Sequence, residues 1–303
     1  MFKGANKLKA IVTGASGLFG SCLVELALKE GFEVYSGYYE HLVNIGHPFK
    51  LNVTNSGAIM NTFSRIRPDI VVHAAALTDV DLCERDKVFA YQTNIDGTRN
   101  IIDACRRFGV YLVYISTDYV FQGDKGMYKE DDSCSPVNYY GNSKLESEKL
   151  VKSSGLDYLV VRASVIFGSR PALGKVNFAL WALEKLRKEE TIHILVDQFI
   201  SPTLNSSLAE MVLEAVNRWF TGVYHMSGAT RLSRFDFVTK LAEIFDLDRL
   251  LIRPAKMGDM NWFAMRPNDS SLDVRKATSQ LRHKPLNIDE AVRRLKFEME
   301  GLA

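Results

Sequence analysis

Long apolar runs are missing from this chain of 303 residues. None approaches the roughly 20 residues needed to cross a bilayer, so no membrane span is expected. Charge of one sign is lacking as well: 38 basic residues stand against 36 acidic ones, interspersed throughout, for a formal net charge of +2. That balance argues against a nucleic-acid or polyanion surface. Cysteine is sparse, and Cys22, Cys83, Cys105 and Cys134 make no Cys-x-x-Cys pair, which speaks against a disulfide framework and for a reduced, cytoplasmic protein. The histidines show no His-Glu-x-x-His or paired His/Cys spacing, so no metal is expected. The N-terminus is short and polar without a signal-peptide cleavage pattern, and there is neither an internal repeat nor a low-complexity linker.

What is present is a globular composition, 47% hydrophobic and 24% charged, sufficient for one large domain or two intimate ones. The first half repeats one grammar: a β-branched apolar run, an amphipathic helix, a glycine, another apolar run. Strands are expected at Lys9 to Thr13, Glu33 to Gly37, Ile70 to Ala74, Tyr111 to Ser116 and Tyr158 to Arg162. Helices are expected at Leu18 to Lys29, Ile59 to Ile66, Val88 to Phe108 and Asn142 to Lys152. Short strands apolar on both faces imply a parallel sheet covered by helices on each side. The fold class is therefore α/β, a Rossmann-type doubly wound parallel sheet over residues 1–163. The rhythm then loosens. Helices at Val176 to Lys188, Leu208 to Trp219, Ser233 to Phe245 and Ile288 to Met299, with strands at Ile192 to Leu195 and Val223 to Met226, make a smaller C-terminal lobe over 164–303. Some of its segments are expected to return to the first domain.

Between the first strand and first helix lies Thr13-Gly14-Ala15-Ser16-Gly17-Leu18-Phe19-Gly20. Glycines at this spacing permit a tight turn and close approach of a pyrophosphate to the positive helix end. As the first βα turn of the chain, the loop points to a dinucleotide, with Gly14, Ser16, Gly17, Leu18, Phe19 and Gly20 as contacts. The second strand ends in Tyr38-Tyr39-Glu40-His41, with no aspartate to hold a ribose 2′-hydroxyl and no neighbouring Arg or Lys for a 2′-phosphate. NADP(H) is favoured, with NAD(H) as the alternative.

Tyr140 and Lys144 are four residues apart, on one face of a helix. A nearby ammonium would bring a phenol of ordinary pKa about 10 toward working range. The pair follows a strand ending Ser116-Thr117-Asp118-Tyr119-Val120-Phe121, at the carboxyl edge where ligands bind in open α/β folds.

Order and spacing together resemble the extended short-chain dehydrogenases/reductases, and within them the dTDP-4-dehydrorhamnose reductase family. The likeness runs nearly the whole length: the glycine loop, Arg67 to Asp81, the Ser-Thr-Asp-Tyr-Val-Phe run, Tyr139 to Lys144, Asp197 to Thr203 and Arg266 to Asp273. It implies an NAD(P)H-dependent reductase of a 4-keto-6-deoxy nucleotide sugar, with the C-terminal lobe binding the substrate. By this resemblance Thr117 holds the carbonyl, Tyr140 donates the proton, and Lys144 holds the ribose and tunes the tyrosine. Tyr38, Asn52, Val53, Ala74, Ala75, Ala76 and Asn94 join the cofactor contacts, with Asn94 supporting the site from the long helix. Thr78, Val80, Asp81, Ser116 and Arg266 fall to the substrate, Arg266 as a clamp on its diphosphate. The expected partners are that nucleotide sugar and at most a second copy in a homodimer, with no nucleic acid and no membrane.

Two rival readings share these residues. A nucleotide-sugar epimerase or dehydratase of the same superfamily would regenerate its NAD, and Asp118 beside Thr117 leaves room for a dehydratase acid. A regulatory subunit resembling that of methionine adenosyltransferase would act by binding a catalytic partner.

Overall fold

The computed structural model describes residues 7–172 and 174–301. Six parallel strands from the first half, β1 (Lys9–Thr13), β2 (Glu33–Tyr38), β3 (His47–Lys50), β4 (Ile70–His73), β5 (Tyr111–Thr117) and β6 (Tyr158–Ala163), share one sheet with a late strand, Gly222–His225. The spatial order is Gly222–His225, β6, β5, β4, β1, β2, β3. Strand order reverses between β1 and β4, and such a reversal opens a crevice beyond the carboxyl ends of the strands.

The two-residue period of the strands decides which helix layer each side chain meets. Val12, Val72 and Val113 face a core with Leu23 and Val24 of α1 (Leu18–Lys29). Their neighbours Ile11, Val71 and Leu112 face the opposite core with Ile59 and Phe63 of α2 (Ser56–Ile66) and Ile101. Each such side chain contributes on the order of 1.5–3 kcal/mol by leaving water.

Several elements differ from the sequence reading. β3 was not expected: it is short, polar and carries Pro48, which only an edge strand tolerates. An unanticipated short helix, α3 (Val80–Arg85), precedes the expected helix Val88 to Phe108, which is divided into α4 (Lys87–Ala90), a π-helical turn at Tyr91–Asp96 and α5 (Gly97–Phe108). α6 runs over Tyr139–Lys152 rather than from Asn142, because Asn138 caps it by accepting a hydrogen bond from the Gly141 N–H at 2.8 Å. Tyr140 and Lys144 thus both lie inside one helix.

The second half builds a lobe from α7 (Phe178–Arg187), α8 (Asn205–Asn217), α9 (Arg234–Ile244), α10 (Arg275–Gln280) and α11 (Ile288–Met299). Two of its segments return to the sheet: Gly222–His225 pairs with β6, and Leu208 and Val212 of α8 join the core beneath α1. Among the described residues no helix is long and apolar enough to cross a membrane.

Candidate active site

A cleft of about 790 Å³ lies at the carboxyl edge of the sheet, between the glycine loop, the β4 and β5 ends, α6 and the C-terminal lobe. Its floor fits a dinucleotide. Gly17 precedes α1 with no side-chain cap, so the first N–H groups of that helix keep no partner within it and favour an anion. Gly14 has φ +69°, and a Cβ there would stand 2.8 Å from the Ala75 nitrogen. A Cβ on Gly20 would stand 2.2 Å from the Gly14 carbonyl oxygen. The loop is folded against the Ala74–Ala76 run so tightly that only glycine allows it, which leaves the cleft side open for phosphates.

Behind the floor a buried chain of hydrogen bonds fixes this geometry. Thr98 Oγ1 donates to the Asn94 carbonyl at 2.6 Å, so at 3.1 Å His73 Nε2 is the donor to Thr98. His73 Nδ1 then accepts from Thr13 Oγ1 at 2.8 Å, and Thr13 in turn accepts from the Ala75 N–H at 3.2 Å. Burial, with the Lys144 charge adding to it, pushes His73 down to about 3, consistent with a neutral ring carrying its proton on Nε2. His73 is a structural strut.

The expected catalytic trio converges. Thr117 ends β5; its hydroxyl donates to Asp118 Oδ1 at 3.0 Å and accepts from the Tyr119 N–H at 3.2 Å. The Tyr140 phenol borders the cleft with Thr117 and Lys144, and burial raises its pKa above the ordinary value. Lys144 is 3% exposed. Its Nζ donates to the Ile115 carbonyl at 2.6 Å and sits 4.2 Å from the Tyr114 ring centroid. Burial lowers it to about 7, although the Glu148 charge pulls the other way.

Alternation along β5 separates Ser116 from Thr117. Ser116 borders the cleft, but its hydroxyl donates to Glu148 Oε1 at 2.6 Å, where Arg162 donates through Nε at 2.9 Å. Arg162 Nη2 reaches Glu148 Oε2 at 2.8 Å. This hydroxyl thus serves a buried ion pair. Asp118 is likewise committed: beyond Thr117, its Oδ2 accepts from Ser164 at 2.8 Å and Ser270 at 2.5 Å.

Of the other sequence-designated residues, Ser16, Leu18, Phe19, Tyr38, Asn52, Val53, Thr78 and Val80 border the cleft. Asn94 stands behind it. Its amide accepts from the Leu77 N–H at 2.8 Å and donates to the Leu77 carbonyl at 3.1 Å and Ser143 Oγ at 2.9 Å, pinning the loop after β4 to α6. The π-helical turn creates this position, a distortion frequent at functional sites. Asp81 and Arg266 are not brought into the lining. They pair at 3.1 Å, and Asp81 also accepts from the Ala264 N–H at 2.9 Å. Burial pushes the Asp81 carboxyl up, but that N–H and Arg266 hold it below its usual value.

Sequence reasoning missed the wall from the second lobe, including Lys175, Phe178 and Arg234. It also found no cation beside the end of β2, whereas β3 supplies one. Lys50 pairs in register with Tyr38, and its Nζ lies 6.0 Å from the Tyr39 ring. Only the arrival of an unanticipated edge strand makes that neighbour visible.

Comparison with known proteins gives a consistent result. The family model described as RmlD substrate binding domain matches residues 8–300. A dTDP-4-dehydrorhamnose reductase from Burkholderia thailandensis is 35% identical, over 76% of this chain and 76% of its own. A probable low-salt glycan biosynthesis reductase, Agl14, from Haloferax volcanii is 30% identical, over 90% of this chain and 92% of its own. The crystal structure of dTDP-4-dehydrorhamnose reductase from Bacillus anthracis in complex with NADP superposes with a TM-score of 0.87. It is 31% identical, with 96% of this chain and 99% of that one covered.

Proposed function

Since the chain belongs to the RmlD substrate binding domain family, we propose that it is an NADPH-dependent reductase of a 4-keto-6-deoxy nucleotide sugar, the activity for which its dTDP-4-dehydrorhamnose reductase relatives are named. One observation carries the reading: Thr117, Tyr140 and Lys144 border one cleft with the glycine-lined dinucleotide cradle, Tyr140 and Lys144 on the same helix.

Gly14, Gly17 and Gly20 with the start of α1 would hold the pyrophosphate, and the Ala74–Ala76 run would lie along the cofactor. When bound, the nicotinamide supplies a hydride to the carbonyl carbon. On substrate binding Thr117, held by the Tyr119 N–H, would turn its one hydroxyl hydrogen from Asp118 Oδ1 to the carbonyl oxygen. Tyr140 gives that oxygen its proton, so the ketone becomes a hydroxyl. Lys144 then offsets the phenolate charge from one helical turn away. A lysine lowered to about 7 regains its proton as negative charge develops beside it, so the two groups act together near neutral pH. Lys50 at the β2 edge supports NADPH over NADH, because it offers the 2′-phosphate a cation.

The dehydratase alternative loses its acid, since both Asp118 oxygens are occupied by hydroxyl donors. The test is NADPH oxidation, followed by loss of its near-ultraviolet absorbance, on mixing protein with freshly generated dTDP-4-keto-6-deoxyglucose. Oxidation that needs both protein and sugar, faster than with NADH, is expected. Cofactor binding without oxidation of either nicotinamide would overturn the reductase reading and favour a subunit that acts by binding.

A further inference from the structure

We infer that Arg234 is a specificity-determining residue of the cleft, the side chain that takes the diphosphate of the nucleotide-sugar substrate. The inference rests on the reductase reading and adds to it a residue outside the catalytic trio.

Arg234 is the first residue of α9 and borders the cleft. A cation in the first turn of a helix opposes the macrodipole, so the fold gains little from placing one there. The capping box formed by Ser233 and Asp236 already satisfies the helix start. Two neutral groups hold the guanidinium in place. Nε donates to Gln198 Oε1, and the carbon of the guanidinium lies 4.9 Å from the Phe178 ring centroid. Gln198 is 1% exposed and its Nε2 donates to the Pro267 carbonyl at 3.3 Å, which fixes the amide with its oxygen toward Arg234. The other inward-lying arginines of the molecule have carboxylates: Arg162 has Glu148, Arg266 has Asp81, and Arg294 has Glu210. Among the described residues, Arg234 forms no ion pair.

The surrounding charge tells the same story. Along the cleft wall built by residues after 164, the charged side chains are Lys175 and Arg234, both cationic. Such a wall is matched by a dianion or trianion, for which a guanidinium fork offers parallel hydrogen bonds. Position relative to the chemistry agrees. The Tyr119 ring stands edge-on to Tyr140 at 6.0 Å between centroids, and Tyr119, Tyr140 and Arg234 all border the cleft. In a nucleotide sugar the diphosphate leaves the ring at C1, across the pyranose from the C4 carbonyl. A ketone at Tyr140 therefore sends its diphosphate away along the cleft that Arg234 also borders.

Calorimetric titration of the NADP-loaded protein with dTDP, and in parallel UDP, tests this in the wild type, Arg234→Met, Arg234→Gln and Arg234→Lys. The charge-removing variants are expected to weaken nucleoside diphosphate binding about tenfold or more. NADP affinity should stay unchanged, KM for the keto sugar should rise far more than kcat falls, and Arg234→Lys should recover part of the loss. Gln keeps a hydrogen-bonding group beside Gln198 and serves if the Met variant folds poorly. Unchanged dTDP affinity in Arg234→Gln, in a protein whose wild type turns over the keto sugar, would overturn the role of Arg234 and leave the reductase reading intact. A wild type that binds neither diphosphate and turns over no keto sugar would overturn both.

Discussion

Removing Arg162 leaves Glu148 as a carboxylate with no exposure to water, so Arg162→Met is a severe test of what holds α6 to the sheet. In the wild type the pair is 1% and 0% exposed, joined by contacts of 2.9 and 2.8 Å. Breaking such a pair from one side costs about 3–5 kcal/mol, because the remaining charge is stranded. Lys152 stays 3.1 Å from Glu148, but it is 36% exposed, and an exposed partner returns only ~0–1 kcal/mol. The unfolding entropy of about 2.1 cal/mol/K per residue gives roughly 0.64 kcal/mol/K for a chain of 303 residues. The cost corresponds to a Tm lower by about 5–8 °C, measured by scanning calorimetry.

The pH dependence checks the cause. Burial alone would raise the Glu148 pKa, but the Arg162 hydrogen bonds and charge, Ser116 and Lys152 bring it below the usual carboxylate value. A folded pKa below the unfolded one contributes stability that is present above the unfolded pKa and lost as pH falls through the folded one. In Arg162→Met, burial prevails and the carboxyl takes up a proton more readily. The gap between wild type and variant should therefore narrow on going from about pH 7 to about pH 5. Replacing both partners, as Glu148→Leu with Arg162→Met, should restore most of the loss. A drop below about 2 °C, or a gap that does not change with pH, would refute the argument.

Other outcomes follow from the site. Tyr140→Phe should lower kcat by about 10²–10⁴-fold with NADPH affinity preserved in a fluorescence titration; a fully active variant would end the proposed mechanism. Lys144→Met should abolish turnover yet melt no lower than the wild type. The native ammonium is buried with a pKa lowered to about 7, so the unfolded chain binds more protons from there up to the ordinary lysine pKa, and wild-type stability rises with pH across that window. The Met variant should lack that rise in a pH series of melting curves. Asn94→Ala strands the Leu77 N–H and takes a donor from the Leu77 carbonyl, and should cost about 1–3 kcal/mol in denaturant unfolding, with kcat/KM falling while the cofactor still binds.

The sequence by itself determined the sheet and the chemistry that local spacing encodes. Val12 and Ile11 alternate between two apolar environments, and that doubled hydrophobicity is the mark of a buried parallel strand. The glycine loop was legible because its requirement is steric and local: nothing larger fits against Ala75 and the Gly14 carbonyl. Tyr140 and Lys144 were legible because a helix makes residues four apart into neighbours. Tertiary structure decided whatever depended on partners distant in sequence. Only the sheet register shows that Ser116 turns to Glu148 while Thr117 turns to the cleft, and only the approach of Ser164 and Ser270 shows that Asp118 is committed. Asp81 and Arg266 are separated by almost two hundred positions, so motif reasoning could offer each to a substrate but could not see that they meet. Lys50 and Arg234 went unnoticed for the converse reason. A single cation carries no periodic signal, and its meaning comes from the groups that the completed fold sets beside it.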